Sequence, residues 1–286
     1  MSKTITLNGI RDVVEKYDFY CMGLFGVIHD GENLIESAKE VLVELKKRKK
    51  KIAFLSNTPL RSEEMARRLE SIGISGSLYD GILTSGEIAY HELKSRIDPL
   101  IEKFGEKYYT IGSKIRSESL ISAGYTPVRS IEEADFIFLT TPFAETDTID
   151  MYNDLLGKAL KRHLPMICVN PNRTRRIRNE TQICAGYIAA KYERNGGMVI
   201  YKGKPDTALF TYCFDGLGAK SKADCLVVGD SFEMDILPAE RGHLDSLLIM
   251  SGKHRTELKS FSRPDLEDLA RHFGTYPTYA MKELKF

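Results

Sequence analysis

Short apolar runs alternate with amphipathic stretches along almost the whole chain, and this alternation is the feature that most constrains its fold. Strands alternating with helices favour parallel sheets covered by helices, because right-handed crossovers join successive strands. The predicted strands are 19–25, 52–55, 81–84, 108–111, 135–140, 165–169, 198–201, 225–229 and 245–250. The predicted helices are 35–49, 62–73, 86–104, 115–123, 148–163, 181–195, 205–217 and 233–241.

The composition is that of an ordinary soluble protein. The chain has 286 residues, 42% of them hydrophobic and 28% charged, and a net charge of +1. A nearly neutral chain has no overall field to attract nucleic acid or a membrane surface, so neither is an expected partner. No apolar stretch approaches the roughly 20 residues of a membrane span, and the first residues lack the apolar core of a signal peptide. We therefore expect a cytoplasmic protein.

The cysteines point to a reducing compartment. There are five, at positions 21, 168, 184, 213 and 225, and no pair has the CxxC spacing of a metal or redox motif. An odd number without such spacing favours reduced thiols over a disulfide framework or a zinc site.

Polar residues follow the strand predicted at 52–55. Ser56, Asn57 and Thr58 lie between this strand and a predicted helix. Exposed N–H groups at a helix N-terminus, with hydroxyl groups beside them, suit a phosphate. The same residue types also cap helices without any ligand, and an ordinary N-cap remains the alternative.

Two later strands are also followed by charged residues that could take part in binding or catalysis. Lys204 follows the strand at 198–201 and lies between Gly203 and Pro205, from where an ammonium group can reach an oxyanion; a surface lysine in a turn is the alternative. Asp230 ends another strand and Asp235 begins the next helix. Paired carboxylates suit Mg²⁺, although aspartate also favours helix starts.

Two runs are strongly basic. The run at 46–51 closes a predicted helix, where cations favour the C-terminus and are solvated. The run at 172–178 follows a strand end and has no helical periodicity. It is interpreted either as a solvated surface or as a contact for an anionic substrate.

The order of these motifs resembles the haloacid dehalogenase-like (HAD) superfamily, class IIA, which contains the NagD-like sugar phosphatases and their pyridoxal-phosphatase-like relatives. The resemblance extends from about residue 17 to 252. It is carried by the segments GVIHDG (26–31), ILTS (82–85), VNPN (169–172), CAGYIAA (184–190), GKP (203–205), VGD (228–230), DIL (235–237) and SG (251–252).

This resemblance implies an α/β fold with two parts. A Rossmann-like core with a parallel sheet, residues 1–85 and 186–286, would be interrupted by an inserted α/β cap of the C2 type, residues 86–185. It also implies a small phosphorylated metabolite as substrate, Mg²⁺ as cofactor and a homodimer formed through the cap.

The resemblance further implies the role of each site residue. In the family, two aspartates in the first motif serve as nucleophile and as acid/base, and here these positions hold Gly23 and Phe25. A carboxylate nucleophile divides one difficult hydrolysis into two displacements, and its loss lowers the rate by about 10⁴ to 10⁶. The other implied roles are phosphate binding by Ser56, Asn57, Thr58 and Lys204, substrate contact by Asn170, Asn172 and Arg173, and metal binding by Asp230, Asp235 and the backbone carbonyl of Phe25.

Three nearby groups are candidate replacements for the missing carboxylates. Cys21 lies on the same strand face as Gly23 but about 6–7 Å deeper, so a buried strand cysteine is the favoured interpretation. His29 and Asp30 belong to the loop beyond the strand, from which either could activate water. Two functions therefore remain open: a phosphomonoester hydrolase with impaired catalysis, and a catalytically inactive protein that binds phosphate or phosphometabolites in a regulatory role.

Overall fold

The computed structural model describes residues 4–96, 98–177, 180–258 and 260–286. In these ranges the strands are β1 (Ile5–Thr6), β2 (Phe19–Met22), β3 (Lys51–Ser56), β4 (Gly81–Thr84), β5 (Lys107–Ile111), β6 (Thr126–Pro127), β7 (Phe136–Leu139), β8 (Met166–Cys168), β9 (Thr174–Ile177), β10 (Glu180–Ile183), β11 (Val199–Tyr201), β12 (Cys225–Gly229), β13 (Asp245–Ile249) and β14 (Tyr279–Met281). The α-helices are α1 (Glu36–Lys47), α2 (Ser62–Ser71), α3 (Ser85–Ser95), α4 (Pro99–Glu102), α5 (Ser119–Ser122), α6 (Asn153–Lys161), α7 (Ala185–Arg194), α8 (Ala208–Gly216), α9 (Leu237–Arg241) and α10 (Arg263–Phe273).

The chain forms two compact units. The first comprises Met1–Ser56, Glu63–Leu83 and Lys204–Phe286, and the second comprises Asn57–Ser62 and Thr84–Gly203. The predicted cap, 86–185, is shorter than the second unit. Residues 186–203, which the sequence analysis assigned to the core, belong to the second unit because β11 pairs in parallel with β8.

The first unit is built on a sheet with the strand order β1-β14-β13-β12-β2-β3-β4. β2 lies between β12 and β3 and pairs with both in parallel. Helix α8 covers one face of these strands, where Phe210 and Phe214 pack with Cys21 and Leu55 in a buried apolar cluster. This α/β arrangement with a parallel sheet confirms the predicted fold class.

The second unit contains another parallel sheet, with the strand order β11-β8-β7-β5-β6, and a separate antiparallel hairpin of β9 and β10. Helices α6 and α7 cover one face of the sheet, where Leu156, Ile188 and Tyr192 are buried against Ile137 and Met166. Aromatic side chains from β5 and β7 fill the other face, including Tyr108, Phe136 and Phe138.

The structure corrects the helix that was predicted after the basic run. Residues Thr174–Ile177 form strand β9, and the predicted helix at 181–195 begins only at Ala185, because Glu180–Ile183 form its partner strand β10. The Arg175 Nε–H donates to the Gln182 side chain across the hairpin at 3.0 Å. Polar residues on both strands hide this pairing from an apolar-periodicity analysis. Arg178, the last residue of the run, lies outside the described residues.

Two of the other differences from the predicted boundaries have a local cause. The strand predicted at 19–25 ends at Met22, because the chain turns and the N–H groups of Ile28 and His29 donate to the Leu24 carbonyl. The helix predicted at 86–104 is two helices, and α4 starts at Pro99 with Asp98 as its N-cap. Proline is accommodated at the first positions of a helix and breaks its interior.

In the described part of the chain, none of the helices combines the length and apolar character that a membrane crossing requires. The five cysteines are free thiols, and all of them are buried.

Candidate active site

The carboxyl ends of three neighbouring strands bring predicted site residues to one edge of the first sheet. Met22 pairs with Val228 on one side and with Phe54 on the other. Gly23 therefore leaves β2 between Asp230, which follows β12, and Ser56, which ends β3. Ligand sites of open parallel sheets lie at this edge, so the predicted arrangement of these residues has a structural basis.

Gly23 lies where a side chain would fit. An ideal Cβ at this residue would lie 3.6 Å from Lys204 Nζ, 3.6 Å from Val27 Cγ2 and 3.7 Å from the Val228 carbonyl oxygen, which are ordinary van der Waals distances. Gly23 is also absent from the described residues with positive φ. The backbone therefore does not require glycine here, and a carboxylate at position 23 would begin beside the Lys204 ammonium.

Lys204 forms a buried ion pair with Asp235. Its Nζ lies 2.6 Å from Asp235 Oδ1, and both side chains are buried. Burial alone would lower the pKa of Lys204, but the charge and hydrogen bond of Asp235 raise it above its ordinary value. The Lys204 side chain is therefore a fixed ammonium group at the position that the sequence analysis assigned to phosphate.

Asp235 also organises the loop that carries Asp230. Its Oδ2 accepts hydrogen bonds from the backbone N–H groups of Asp230 (3.2 Å) and Ser231 (3.1 Å). With Lys204 on Oδ1, both carboxylate oxygens have protein partners. Asp235 thus holds the backbone of residues 230 and 231 and the lysine in one arrangement.

The Asp230 carboxylate has an unusual protonation equilibrium. Burial and the nearby charge of Asp235 raise the pKa of Asp230 to about 7. Its Oδ2 accepts a hydrogen bond from the backbone N–H of Lys253 at 2.8 Å and lies against Gly26, where a Cβ would come within 1.9 Å. Gly26 has φ +76°, so both conformation and close approach require glycine there.

The group nearest to a magnesium site here is the buried Asp230 carboxylate, which accepts the Lys253 N–H, whereas both oxygens of Asp235 accept hydrogen bonds from Lys204, Asp230 and Ser231. Metal binding by Asp230, Asp235 and the Phe25 carbonyl stays a prediction. Mg²⁺ is often bound by one or two carboxylates together with water and substrate phosphate, so this set meets the lower limit. A buried carboxyl group with a raised pKa is also one whose charged form a divalent cation would stabilise. Among the described residues there is no group of three or more His, Cys, Asp or Glu side chains that could hold a metal.

The Phe25 side chain packs on the loop that follows it. Its ring makes an edge contact with the His29 ring at 6.0 Å between centroids, and the Gly26 N–H donates to the His29 carbonyl at 2.8 Å. Burial and the charge of Arg68 lower the pKa of His29 to about 4. His29 Nδ1 accepts the Gly31 N–H, so the imidazole is neutral and stabilises the turn by this hydrogen bond.

Asp30 and Cys21 have structural roles as well. Asp30 is exposed, and its Oδ1 accepts the N–H groups of Glu32 (2.9 Å) and Asn33 (2.7 Å) in a local turn. A hydrogen bond with Cys213 and burial raise the pKa of Cys21 well above its ordinary value. Cys21 is 1% exposed, which agrees with the buried strand cysteine favoured from the sequence. Neither residue has the surroundings of an activated nucleophile or base.

The other predicted ligand residues lie in the second unit. The Asn57 amide donates to Asn172 Oδ1 at 3.1 Å, and the Thr58 carbonyl accepts the Ser85 hydroxyl at 2.8 Å. Within the described part of the chain, Asn170 Oδ1 is buried without a hydrogen-bond partner, and Arg173 is exposed. The structure thus brings Asn57 and Asn172 into contact, whereas the sequence analysis assigned them to different ligand groups.

Two positioning residues were not found from the sequence. Lys253, which follows the Ser251-Gly252 segment, reaches Asp230 through its backbone and Glu233 through its ammonium at 2.9 Å. Ser85 binds the Thr58 carbonyl and also lies 2.5 Å from the Val169 carbonyl. The position of Lys253 directly after the Ser251-Gly252 segment is the signal that could have indicated it.

Comparison with known proteins agrees with this architecture. Residues 20–126 match the haloacid dehalogenase-like hydrolase family and residues 201–273 match a HAD-hydrolase-like family. The chain is 28% identical over 245 residues to the sugar-phosphatase AraL of Bacillus subtilis, covering 85% of this chain and 86% of that protein.

Two solved structures share the fold. A haloacid dehalogenase-like hydrolase from Brucella suis has a TM-score of 0.81 at 22% identity, covering 97% of this chain and 99% of that one. A glycerol phosphate phosphatase from Mycobacterium tuberculosis, in complex with magnesium, has a TM-score of 0.67 at 22% identity, covering 95% and 77%. By its sequence matches and its fold, the chain belongs to the haloacid dehalogenase-like hydrolase superfamily, class IIA, the family of the NagD-like sugar phosphatases.

Proposed function

We propose that this protein binds small phosphorylated metabolites such as sugar phosphates, and that it hydrolyses them far more slowly than a phosphatase with a complete first motif. The observation that carries the proposal is Gly23, which leaves room for a side chain beside the buried Lys204–Asp235 pair. The relationship to the sugar-phosphatase AraL supports the substrate class. The missing carboxylate supports a loss of rate of about 10⁴ to 10⁶.

Each residue of the first unit has a role in this proposal. The Lys204 ammonium neutralises phosphoryl oxygens, and Asp235 holds that ammonium in place. The hydroxyl of Ser56, at the end of β3, donates to a phosphate oxygen. A magnesium ion on Asp230 and the Phe25 carbonyl would supply further positive charge for the phosphate. The relative crystallised with magnesium supports this metal.

The side chains at positions 23 and 25 support the proposed loss of the usual covalent route. Glycine at position 23 has no atom that can attack phosphorus, and phenylalanine at position 25 has none that can carry a proton. His29 and Asp30 are used by the turn, and Cys21 is a buried thiol of raised pKa. Any residual hydrolysis therefore depends on direct attack of a water molecule that no described side chain is placed to activate.

The second candidate function is a non-catalytic sensor or regulator that binds a phosphometabolite. It is favoured by the same observation, because Lys204, Asp235 and Asp230 are retained in a hydrogen-bonded set although the nucleophile is missing. In this candidate the bound metabolite is the signal and its hydrolysis plays no part.

Calorimetric titration with inorganic phosphate and a panel of sugar phosphates, with and without Mg²⁺, tests the binding part of the proposal. We expect saturable binding that Lys204→Met abolishes. Release of phosphate from the same panel, followed over hours, separates the two candidates: slow turnover supports the impaired phosphatase, and none supports the binding protein. Absence of binding by the wild-type protein would contradict both.

A further inference from the structure

Hydrogen bonds attach the segment Asn57–Ser62 to the N-terminus of α3. This segment contains two predicted phosphate-binding residues. The Thr58 carbonyl accepts the Gly86 N–H at 3.1 Å and the Ser85 hydroxyl at 2.8 Å. The Leu60 carbonyl accepts the Thr84 hydroxyl at 2.6 Å. These contacts explain why the segment belongs to the second unit although Ser56, directly before it, belongs to the first.

Close packing reinforces this attachment. A Cβ at Gly86 would lie 2.2 Å from the Pro59 carbonyl oxygen, so only glycine lets the helix start so near the segment. Thr84 is the N-cap of α3. Its hydroxyl oxygen accepts the Glu87 N–H, and its hydroxyl proton is donated to the Leu60 carbonyl. Backbone N–H groups in the first turn of α3 thereby find hydrogen-bond acceptors in the N-cap residue and in the segment.

The strongest link is an ion pair between Arg61 and Glu87. Arg61 Nε and Nη2 each lie 2.8 Å from one Glu87 carboxylate oxygen, a two-point contact that fixes direction as well as distance. Glu87 also accepts the Ser62 N–H at 2.9 Å. The Arg61 guanidinium lies over the Tyr90 ring, 3.4 Å from its centroid.

This ion pair persists under physiological conditions. The hydrogen bonds from Arg61 lower the pKa of Glu87 to about 2, so its carboxylate stays ionised at neutral pH. Both side chains are largely covered, with 24% and 17% of their surfaces exposed, which limits screening by salt. The described i,i+4 pair of Arg67 and Glu63 on α2 is far more exposed, at 64% and 82%.

We propose that Arg61 and Glu87 are positioning residues for phosphate binding: they hold the segment Asn57–Ser62 in the one conformation that presents Asn57 and Thr58 to a phosphate group. This inference rests on the proposed function. Arg61 acts through the segment, because its guanidinium is engaged by Glu87 and Tyr90. The Asn57 amide, which donates to Asn172, continues the attachment to the predicted substrate loop.

The test compares dissociation constants for inorganic phosphate, measured by calorimetry, for the wild-type protein, Glu87→Gln, Arg61→Met and Arg61→Lys. We expect Glu87→Gln and Arg61→Met to weaken binding by about 10-fold to 100-fold, because the loss of a hydrogen bond between charged groups has consequences of this size. Arg61→Lys keeps the charge but not the two-point contact, and it should restore part of the affinity. Glu63→Gln, the matched control, should change affinity by less than about twofold, as expected for an exposed pair.

Hydrogen exchange of residues 57–62 provides the second readout. Faster exchange of this segment in Glu87→Gln, together with weaker phosphate binding, supports the proposal. Unchanged phosphate affinity in a folded Glu87→Gln protein overturns it while leaving the proposed function intact. Failure of the wild-type protein to bind phosphate overturns both. If Arg61→Met does not fold, Glu87→Gln, which preserves side-chain size, and Arg61→Lys decide the outcome.

Discussion

The Lys204 ammonium lies 2.6 Å from the Asp235 carboxylate and 3.6 Å from the point where a Cβ on Gly23 would be. One partner of the lysine is therefore present, and the place for a second carboxylate is open. The buried lysine, the aspartate that holds it and the loop of Asp230 form one hydrogen-bonded set beside Gly23. This arrangement predicts how substitutions in and around the set change stability and activity.

Gly23→Asp should fold as well as the wild-type protein. The new Cβ meets its neighbours at ordinary distances, and the carboxylate enters beside a lysine, so we expect the free energy of unfolding to change by about 1 kcal/mol or less. Urea denaturation checks this. Gly23→Leu, which adds an uncharged branched side chain beside Lys204, is the control and should be clearly less stable.

Gly26→Ala should be severely destabilising. Its Cβ would come within 1.9 Å of Asp230 Oδ2, and the residue has φ +76°, so that steric clash and backbone strain add. We expect a loss of about 2–4 kcal/mol in the free energy of unfolding. Gly157→Ala in α6 is the matched control, because nothing lies within 4 Å of its Cβ position, and it should stabilise the helix by up to about 1 kcal/mol. Equal effects of the two substitutions would contradict this account of the site.

Gly23→Asp alone should form a phosphorylated aspartate that hydrolyses slowly. The nucleophile is restored, but Phe25 supplies no base for the attacking water, and its ring packs on His29. With 4-nitrophenyl phosphate, whose leaving group departs as a stable anion and needs no acid at position 25, we expect a burst of 4-nitrophenolate equal to the enzyme concentration, followed by slow turnover, measured by rapid-quench kinetics. Gly23→Asp/Phe25→Asp should lose the burst and turn over faster. A burst of the same size in Gly23→Asn would show that it does not come from position 23.

Stability should fall as the pH is lowered from about 6.5 towards 4. Burial lowers the pKa of both His29 and His254 to about 4, so both are neutral in the folded protein. The unfolded chain takes up these protons at higher pH and is favoured on acidification, by about 1–2 kcal/mol per histidine at pH 5. Above pH 6.5 both states are neutral and the effect vanishes.

Urea denaturation at pH 7 and pH 5 measures this dependence. His254→Gln should remove about half of it, while the glutamine oxygen can still accept the Phe232 N–H that His254 Nε2 accepts at 3.2 Å. A pH dependence that His254→Gln leaves at full size would show that other groups cause it.

The sequence predicted the fold class, because it depends on buried apolar strands. The strands predicted at 81–84 and 225–229 coincide with β4 and β12, and the helix at 62–73 begins at the observed Ser62. The hairpin of β9 and β10 was missed because its stability comes from cross-strand pairs such as Arg175 and Gln182 rather than from an apolar face.

The environment of the candidate site could not be predicted from the sequence. Arg61 and Glu87 are separated by an entire helix and strand, so nothing in their local spacing indicates a two-point ion pair. The raised pKa of Asp230 likewise follows from burial and from the approach of Asp235, which only the folded chain provides. The roles of Ser56, Asn57, Thr58, Asn170, Asn172 and Arg173 as ligands stay predictions.

The central claim is that position 23 is the missing nucleophile of an otherwise retained phosphate site. The most direct test is the steady-state rate of phosphate release by the wild-type protein and by Gly23→Asp/Phe25→Asp, from the sugar phosphate that binds most tightly, in the presence of Mg²⁺. We predict that the double variant is faster by at least about 10³, part of the loss expected for a missing nucleophile. A wild-type rate equal to or above that of the variant would contradict the account.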